Sequence, residues 1–408
     1  MELQGLTLDK GAPSAKQYRP LVKLVAVALA IALSGLTLEG FGYLYLRFFD
    51  GYDGMHLMNY QFDDYKIIHP TPNYSNSKGI HHNAQGFRRD QDTPREKPKD
   101  TYRIFLMGGS TAYGLQSLSK YGQEKYSVIR NNETIDHYLE EYLRPRVAGK
   151  TVEVINAAIT SHFSHHHLIY LNQTILKYHP DMIIFLDGFN DYFQYAKDFD
   201  QFRDYAYQER AHLYMAEPTV EAWVGYTGWW LFRKSHFVHL TAKTLRPIWL
   251  SLKQLGRERA HIDVAEALSN LAVNAQANII KMVELNSLVL RHEGVVPVFV
   301  LQPEIVFEQS KVFSEMEKLI FDEMSGHWQE NFGEFKNKAR PMVVNYLTQS
   351  TSKTGSVFFD LTDPFGGLIE DAYTDYCHLT PRGNKRLAEE LGARLLPLIT
   401  AGAKERVT

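Results

Sequence analysis

Five short apolar runs, at residues 102–107, 152–156, 182–187, 296–301 and 357–361, limit what this sequence can become more than any other feature. Each is too short to make a helix that buries a face, and each is largely apolar. A strand reads that way when both of its faces are covered. Segments of helical period stand between the runs: 135–143, 166–176 and 264–292. In the last, Leu268, Leu271, Ala275, Ile279, Met282, Val283 and Leu290 recur at helical spacing, and a further helix, 383–396, follows the fifth run. Strands joined by crossover helices pair in parallel. The expected fold is therefore α/β, a three-layer α/β/α sandwich with a mainly parallel five-stranded sheet at about residues 101–400.

One stretch interrupts the alternation. Residues of about 192–260 carry Trp223, Trp229, Trp230 and Trp249, four of the five tryptophans in the chain. This aromatic-rich helical insertion is expected to be a lid over a cleft, a membrane-contacting surface or a helical unit with its own core. Residues 47–100, rich in Tyr, His, Asn, Asp and Pro without sustained periodicity, are expected to form an extended linker region.

The N-terminus sets the compartment. Residues 24–46 are apolar apart from Glu39 and long enough for one transmembrane helix. Lys10, Lys16, Arg19 and Lys23 precede the span, whereas Asp50, Asp53, Asp63 and Asp64 follow it. By the positive-inside rule, residues 1–23 form a cytoplasmic tail, and the rest of a single-pass protein lies on the periplasmic or extracytoplasmic side. A cleaved signal peptide is the alternative, with small residues at Ala32 and Ser34; the apolar character that continues to Phe49 favours the anchor. Glu39 is costly inside a bilayer unless paired, so it is expected near the outer interface or against a membrane-protein partner. The formal net charge of -3 leaves no basic excess for a nucleic-acid partner. The single cysteine, Cys377, excludes an intrachain disulfide and a multi-cysteine zinc site.

Open α/β sheets bind ligands beyond the C-terminal ends of their strands. Ser110 follows the first run in "GGST", where it could be a nucleophile with room made by Gly108 and Gly109, or simply a helix cap. Asn190 follows the third run in "GFND"; its amide could donate to a developing oxyanion, or it could serve as a turn residue. After the fifth run, "DYCHL" sets Asp375 three residues from His378, a spacing at which a carboxylate can orient an imidazole. An imidazole so held can activate a serine hydroxyl that is otherwise un-ionised at neutral pH. Asp191 is a rival acid, less well spaced from His378. His162, His165, His166 and His167 raise a metal alternative, but no carboxylate or cysteine accompanies them at recognisable ligand spacing.

Taken in order, these blocks resemble those of the SGNH hydrolases, the GDSL esterase and lipase family, over about residues 102–396 without the insertion. "GGST" is similar to the family's first block, with Gly109 where many members have Asp; "GFND" to the third; "DYCHL" to the last. In the second block, Ser161 stands where the family has a glycine. The resemblance implies a flavodoxin-like sheet and a serine enzyme acting on ester bonds. Its catalytic residues would be Ser110, His378 and Asp375. The oxyanion hole would be formed by the backbone N–H groups of Ser110 and Ser161 and by the Asn190 amide, and no cofactor or metal is implied. With the membrane span, it points to an anchored esterase whose substrate is a short acyl ester on an envelope or exported carbohydrate. Alternatives are a lipase or lysophospholipase, and an O-acyltransferase or non-catalytic component of a polysaccharide-modification complex.

Overall fold

A computed structural model of the protein describes residues 15–52, 56–63, 66–196, 220–254, 263–325 and 330–405. The chain opens with helix α1 (Ala15–Tyr45), continued by a π-helical turn, Leu46–Asp50. A two-stranded antiparallel hairpin follows, β1 (Tyr60–Asp63) with β2 (Ile67–Pro70). The main domain then runs β3 (Thr101–Gly108), α2 (Ser110–Tyr113), α3 (Ile135–Leu143), β4 (Thr151–Asn156), α4 (Ser164–Gln173), β5 (Met182–Asp187) and α5 (Phe189–Tyr195). Helices α6 (Val220–Lys234) and α7 (His236–Gln254) make up the described part of the insertion. The domain resumes with α8 (Val264–Ala275), a π-helical turn at Gln276–Ile280, α9 (Lys281–His292), β6 (Val296–Leu301), α10 (Glu315–Ser325), α11 (Glu330–Thr354), β7 (Val357–Asp360) and α12 (Pro381–Glu405).

The five expected strands form one sheet in the order β4-β3-β5-β6-β7, every pair parallel. The apolar runs of the central strands β3, β5 and β6 are buried on both faces. Ile104, Leu106, Ile184 and Leu186 meet Leu139 and Leu143 of α3 and Leu387, Leu391 and Leu395 of α12. Phe105, Met107, Ile183 and Phe185 meet Leu171 of α4 and Val283 and Leu290 of α9 on the other side. Each fully buried leucine of this kind contributes about 1.5–3 kcal/mol relative to exposure. The α/β/α sandwich is thus the expected one. Because the chain steps from β3 to β4 on one side and to β5 on the other, a crevice opens beyond the carboxyl ends of β3 and β5.

Two expectations need correction. Residues 47–100 are not an extended linker in their described part, since Phe87 and Arg88 are fully buried against the sheet domain. Arg88 donates to the carbonyls of Tyr113, Gly114 and Ile129, while Asn83 Oδ1 accepts from the backbone N–H groups of Gln85 and Phe87. This segment folds through side-chain bonds to backbone, which leave no hydrophobic period to read. The insertion also starts later than residue 192, because Tyr192 and Tyr195 of α5 pack into the domain core. Residues 197–219 and 255–262, with part of that insertion, lie outside the described residues, as do 1–14 of the N-terminal tail and Trp328. Finally, α11 was not foreseen: it buries Phe332, Phe335, Ala339 and Val343.

Among the described residues one stretch, Val22–Asp50, running from α1 through the π-helical turn, is long and apolar enough to cross a membrane. Its Glu39 meets a partner within the chain. The carboxylate accepts from Ser235 Oγ at 2.6 Å and from the backbone N–H groups of His236 and Phe237, at the start of α7.

Candidate active site

The β3 strand ends at Gly108, and Ser110 is the first residue of the four-residue helix α2. The N-cap position falls on Gly109, so the serine side chain is not the cap. Half-buried Ser110 turns its Oγ to His378 Nε2, 2.7 Å away. Next to it, Thr111 donates to the Cys377 carbonyl, which ties the loop that carries the histidine to the turn that carries the serine.

Behind His378, its Nδ1 lies 2.7 Å from Asp375 Oδ2. Asp375 is saturated with donors: Oδ2 also accepts from the Leu118 N–H, and Oδ1 from the N–H groups of Cys377 and His378. Burial works against its charge, but the facing imidazole and these N–H groups outweigh it and hold the carboxyl below its usual range. Burial also works against a charge on His378, yet the Asp375 carboxylate dominates and lifts the imidazole well above 6.5. The loop is closed by a bridge between Tyr373 and Leu379 and by the Thr374 N–H to the His378 carbonyl. Residues 268 apart in sequence therefore meet as one line, Asp375–His378–Ser110. Such a line can remove the hydroxyl proton as oxygen attacks an electrophilic carbon.

The expected oxyanion donors border the same crevice. Asn190, in the first turn of α5, donates Nδ2 to the His162 carbonyl at 2.8 Å. An amide nitrogen carries two N–H bonds, so this contact fixes the side chain and leaves capacity for a second acceptor. Gly109 shows why no aspartate sits there: a methyl group at this position would stand 2.7 Å from Asn190 Nδ2 and 3.0 Å from the His162 carbonyl. Ser161 has φ of 67°, the left-handed region that glycine adopts freely. The turn expected of a glycine is thus made by a serine, at a backbone cost on the order of 1–2 kcal/mol. Around it, His162 Nε2 bonds the Lys66 carbonyl beside β2, and the Ser164 N–H donates to Asp191 Oδ1. Asp191 is therefore a brace for this loop and stands apart from the His378 line.

The four clustered histidines divide among different tasks. His162 stacks on His166 with ring centroids 4.4 Å apart, and burial, with the neighbouring imidazoles, pushes His166 down to about 3 and His165 to about 4. His167 instead bonds Asp187 at the end of β5, Nε2 lying 2.9 Å from both carboxylate oxygens. Burial opposes its charge, Asp187 outweighs that, and His167 is raised. Asp191 nearby is pushed up to about 7, by burial first and the Asp187 charge second. His167, Asp187 and Asp191 line a pocket together with Asn278 and Asn286. Sequence reasoning missed Thr111, the Lys66 carbonyl and the Asp187–His167 pair; only the position of Asp187 at a strand end could have drawn attention to one of them.

No family model matches the sequence, and no curated protein matches it. Solved structures do. An alpha/beta hydrolase enzyme from the metagenome of Lake Arreo, Spain, is 9% identical, with 72% of this chain and 96% of that chain covered and a TM-score of 0.36. An acetylxylan esterase from Geobacillus stearothermophilus is 11% identical over 72% of this chain and 94% of its own, with a TM-score of 0.33. The lipase/acylhydrolase from Enterococcus faecalis is 13% identical over 72% and 96%, also with a TM-score of 0.33. At that distance the functional reading rests on the geometry of this chain alone.

Proposed function

We propose that this chain is a serine esterase anchored in a membrane by α1. The observation that carries the reading is the unbroken hydrogen-bonded line from Asp375 through His378 to Ser110. In the proposed reaction, His378 takes the Ser110 proton as Oγ attacks an ester carbonyl; Asp375 fixes the imidazole tautomer and stabilises the imidazolium. The Ser110 and Ser161 N–H groups and the Asn190 amide receive the oxyanion. Collapse expels the alcohol, protonated by His378, and leaves an acyl-Ser110 ester. Water activated by the same imidazole releases the acid, whereas a sugar hydroxyl in its place gives transfer.

With α1 crossing the membrane N-terminus inward, the domain faces the extracytoplasmic side, where acylated glycans are the accessible esters. A short acyl group on an envelope or exported carbohydrate is the proposed substrate. A second reading, a lipase or lysophospholipase, draws on the contact between α1 and α7, which holds the insertion beside the span. The test is a fluorophosphonate probe on the detergent-solubilised full chain. Labelling of the wild type that is lost in Ser110→Ala is expected; an unlabelled wild type, or equal labelling of both, refutes the nucleophile. Acetylated sugars against long-chain esters then separate the two substrate classes.

A further inference from the structure

Helices α1 and α7 lie side by side in a fixed register. At one level, the Glu39 carboxylate caps α7, accepting from Ser235 Oγ and the His236 N–H at 2.6 Å each. At a second level, Asp50 accepts from Lys243 Nζ, again at 2.6 Å. Both partners advance in the same direction, so the two helices run parallel. Between the two levels, Gly42 lets the backbones touch: a methyl group there would stand 2.6 Å from the Phe237 nitrogen. Tyr43 adds an edge contact to the His236 ring at 5.3 Å.

This register assigns a depth to the insertion. Hydrocarbon about 30 Å thick takes about 20 residues of helix at 1.5 Å each, so a span entered at Leu24 ends near residue 43. Glu39 is then about 6 Å inside that boundary, by the same rise per residue. The turn between α6 and α7, locked to Glu39 through Ser235, lies at the same depth. Unpaired polar groups are costly there, and the contact answers this for both sides: the carboxylate gains donors, and the first N–H groups of α7 gain an acceptor.

The side chains around the turn suit that place. Trp230 and Leu231 are 48% and 37% exposed, on the last turns of α6, and Val224 further back is 67% exposed. The exposed Lys234 has an apolar stem long enough to carry its ammonium to the headgroups. Further along α7, Lys243 and Asp50 pair where charge is tolerated, near the outer edge of the span.

We propose that the α6–α7 turn is a membrane-seated wedge, in which Trp230 and Leu231 insert among the acyl chains of the leaflet around the C-terminal end of α1. The occupant of this apolar surface is lipid, continuous with the lipid around α1. The wedge rests on the reading of α1 as a span and is independent of the esterase chemistry.

Nitroxide labels on single introduced cysteines in the full-length chain, reconstituted into phosphatidylcholine vesicles, test the depth. Positions 230 and 231 report the turn, Ile31→Cys reports the span, and Ile248→Cys lies about 18 Å further along α7, above the bilayer by this register. The native Cys377 is 1% exposed and stays in place, with the unmodified chain as blank. Relative access of oxygen over a water-soluble nickel chelate is expected to be severalfold higher at 230 and 231 than at 248, and to approach that at 31. Gly42→Val should lower it at 230 and 231 and spare 31. Chelate access at 230 and 231 equal to that at 248, with 31 in lipid, overturns the wedge. Poor access of both reagents at 230 and 231 overturns it in favour of a covering protein. Chelate access at 31 overturns the span itself, and the wedge with it.

Discussion

Two carboxylate–imidazole pairs, Asp375–His378 and Asp187–His167, stand at the carboxyl end of the sheet, and of the two only Asp375–His378 reaches a hydroxyl, that of Ser110. In both, the carboxylate accepts from the ring and raises the histidine. They differ in what the other ring nitrogen meets. His378 Nε2 faces the Ser110 hydroxyl, whereas His167 Nδ1 is buried without a hydrogen-bond partner among the described residues. The carboxylates differ as well: Asp375 is held by three backbone N–H groups besides the imidazole, while Asp187 has the second acid Asp191 beside it. A pair of this kind becomes a base only where its free nitrogen meets a proton worth moving; elsewhere the same pair braces a fold.

Several experiments can break that contrast. The largest expected effect is that of Ser110→Ala, which removes the target of one pair: ester turnover should fall by about 10⁴-fold or more, read against a wild type with matched thermal unfolding. Asp375→Asn should cost about 10³–10⁴-fold in kcat. Asp187→Asn should leave turnover within about tenfold and lower stability by about 1–3 kcal/mol, since it weakens a buried hydrogen bond alone. Equal activity losses from the two Asp→Asn changes would erase the distinction between the pairs. Asn190→Ala removes one oxyanion donor and should lower kcat by about 10²–10³-fold, with a smaller change in KM.

The pH profile sharpens the comparison further. His378 must be neutral to accept the Ser110 proton, and its pKa is raised, so the inactive imidazolium persists to higher pH than in an ordinary histidine. The acidic limb of kcat/KM should therefore lie above pH 6.5, activity rising as pH increases, and it should move down in the residual activity of Asp375→Asn. The smallest effect is reserved for Ser161→Gly, which relieves the left-handed backbone: a stability gain of about 1 kcal/mol, with turnover unchanged within a few fold, is expected from thermal unfolding and steady-state assays.

Residues that announce themselves by place were readable in the sequence. The five strands are contiguous apolar runs, and Ser110 and Asn190 each stand directly after one, so their approach at one sheet edge follows from parallel pairing. Asp375 and His378 carry their own spacing. What escaped depends on partners far away in the chain. The bonds of Arg88 to three carbonyls near α2, of His162 to the Lys66 carbonyl and of Thr111 to the Cys377 carbonyl leave no periodic trace. Helix α11 escaped for another reason: Pro341 stands within the helix, where a sequence reading expects a break. Glu39 was readable as an anomaly, and its partner was not, because the cap comes from a segment 196 residues later.

That Ser110 and His378 stand 268 residues apart has a consequence for timing. Synthesis runs from the N-terminus, so the serine is made well before its imidazole partner. Until β7 has joined the sheet and the closing loop has brought His378 across, the hydroxyl remains an ordinary alcohol. On the proposed reading, it is the finished sheet, and not the serine by itself, that makes the hydroxyl reactive.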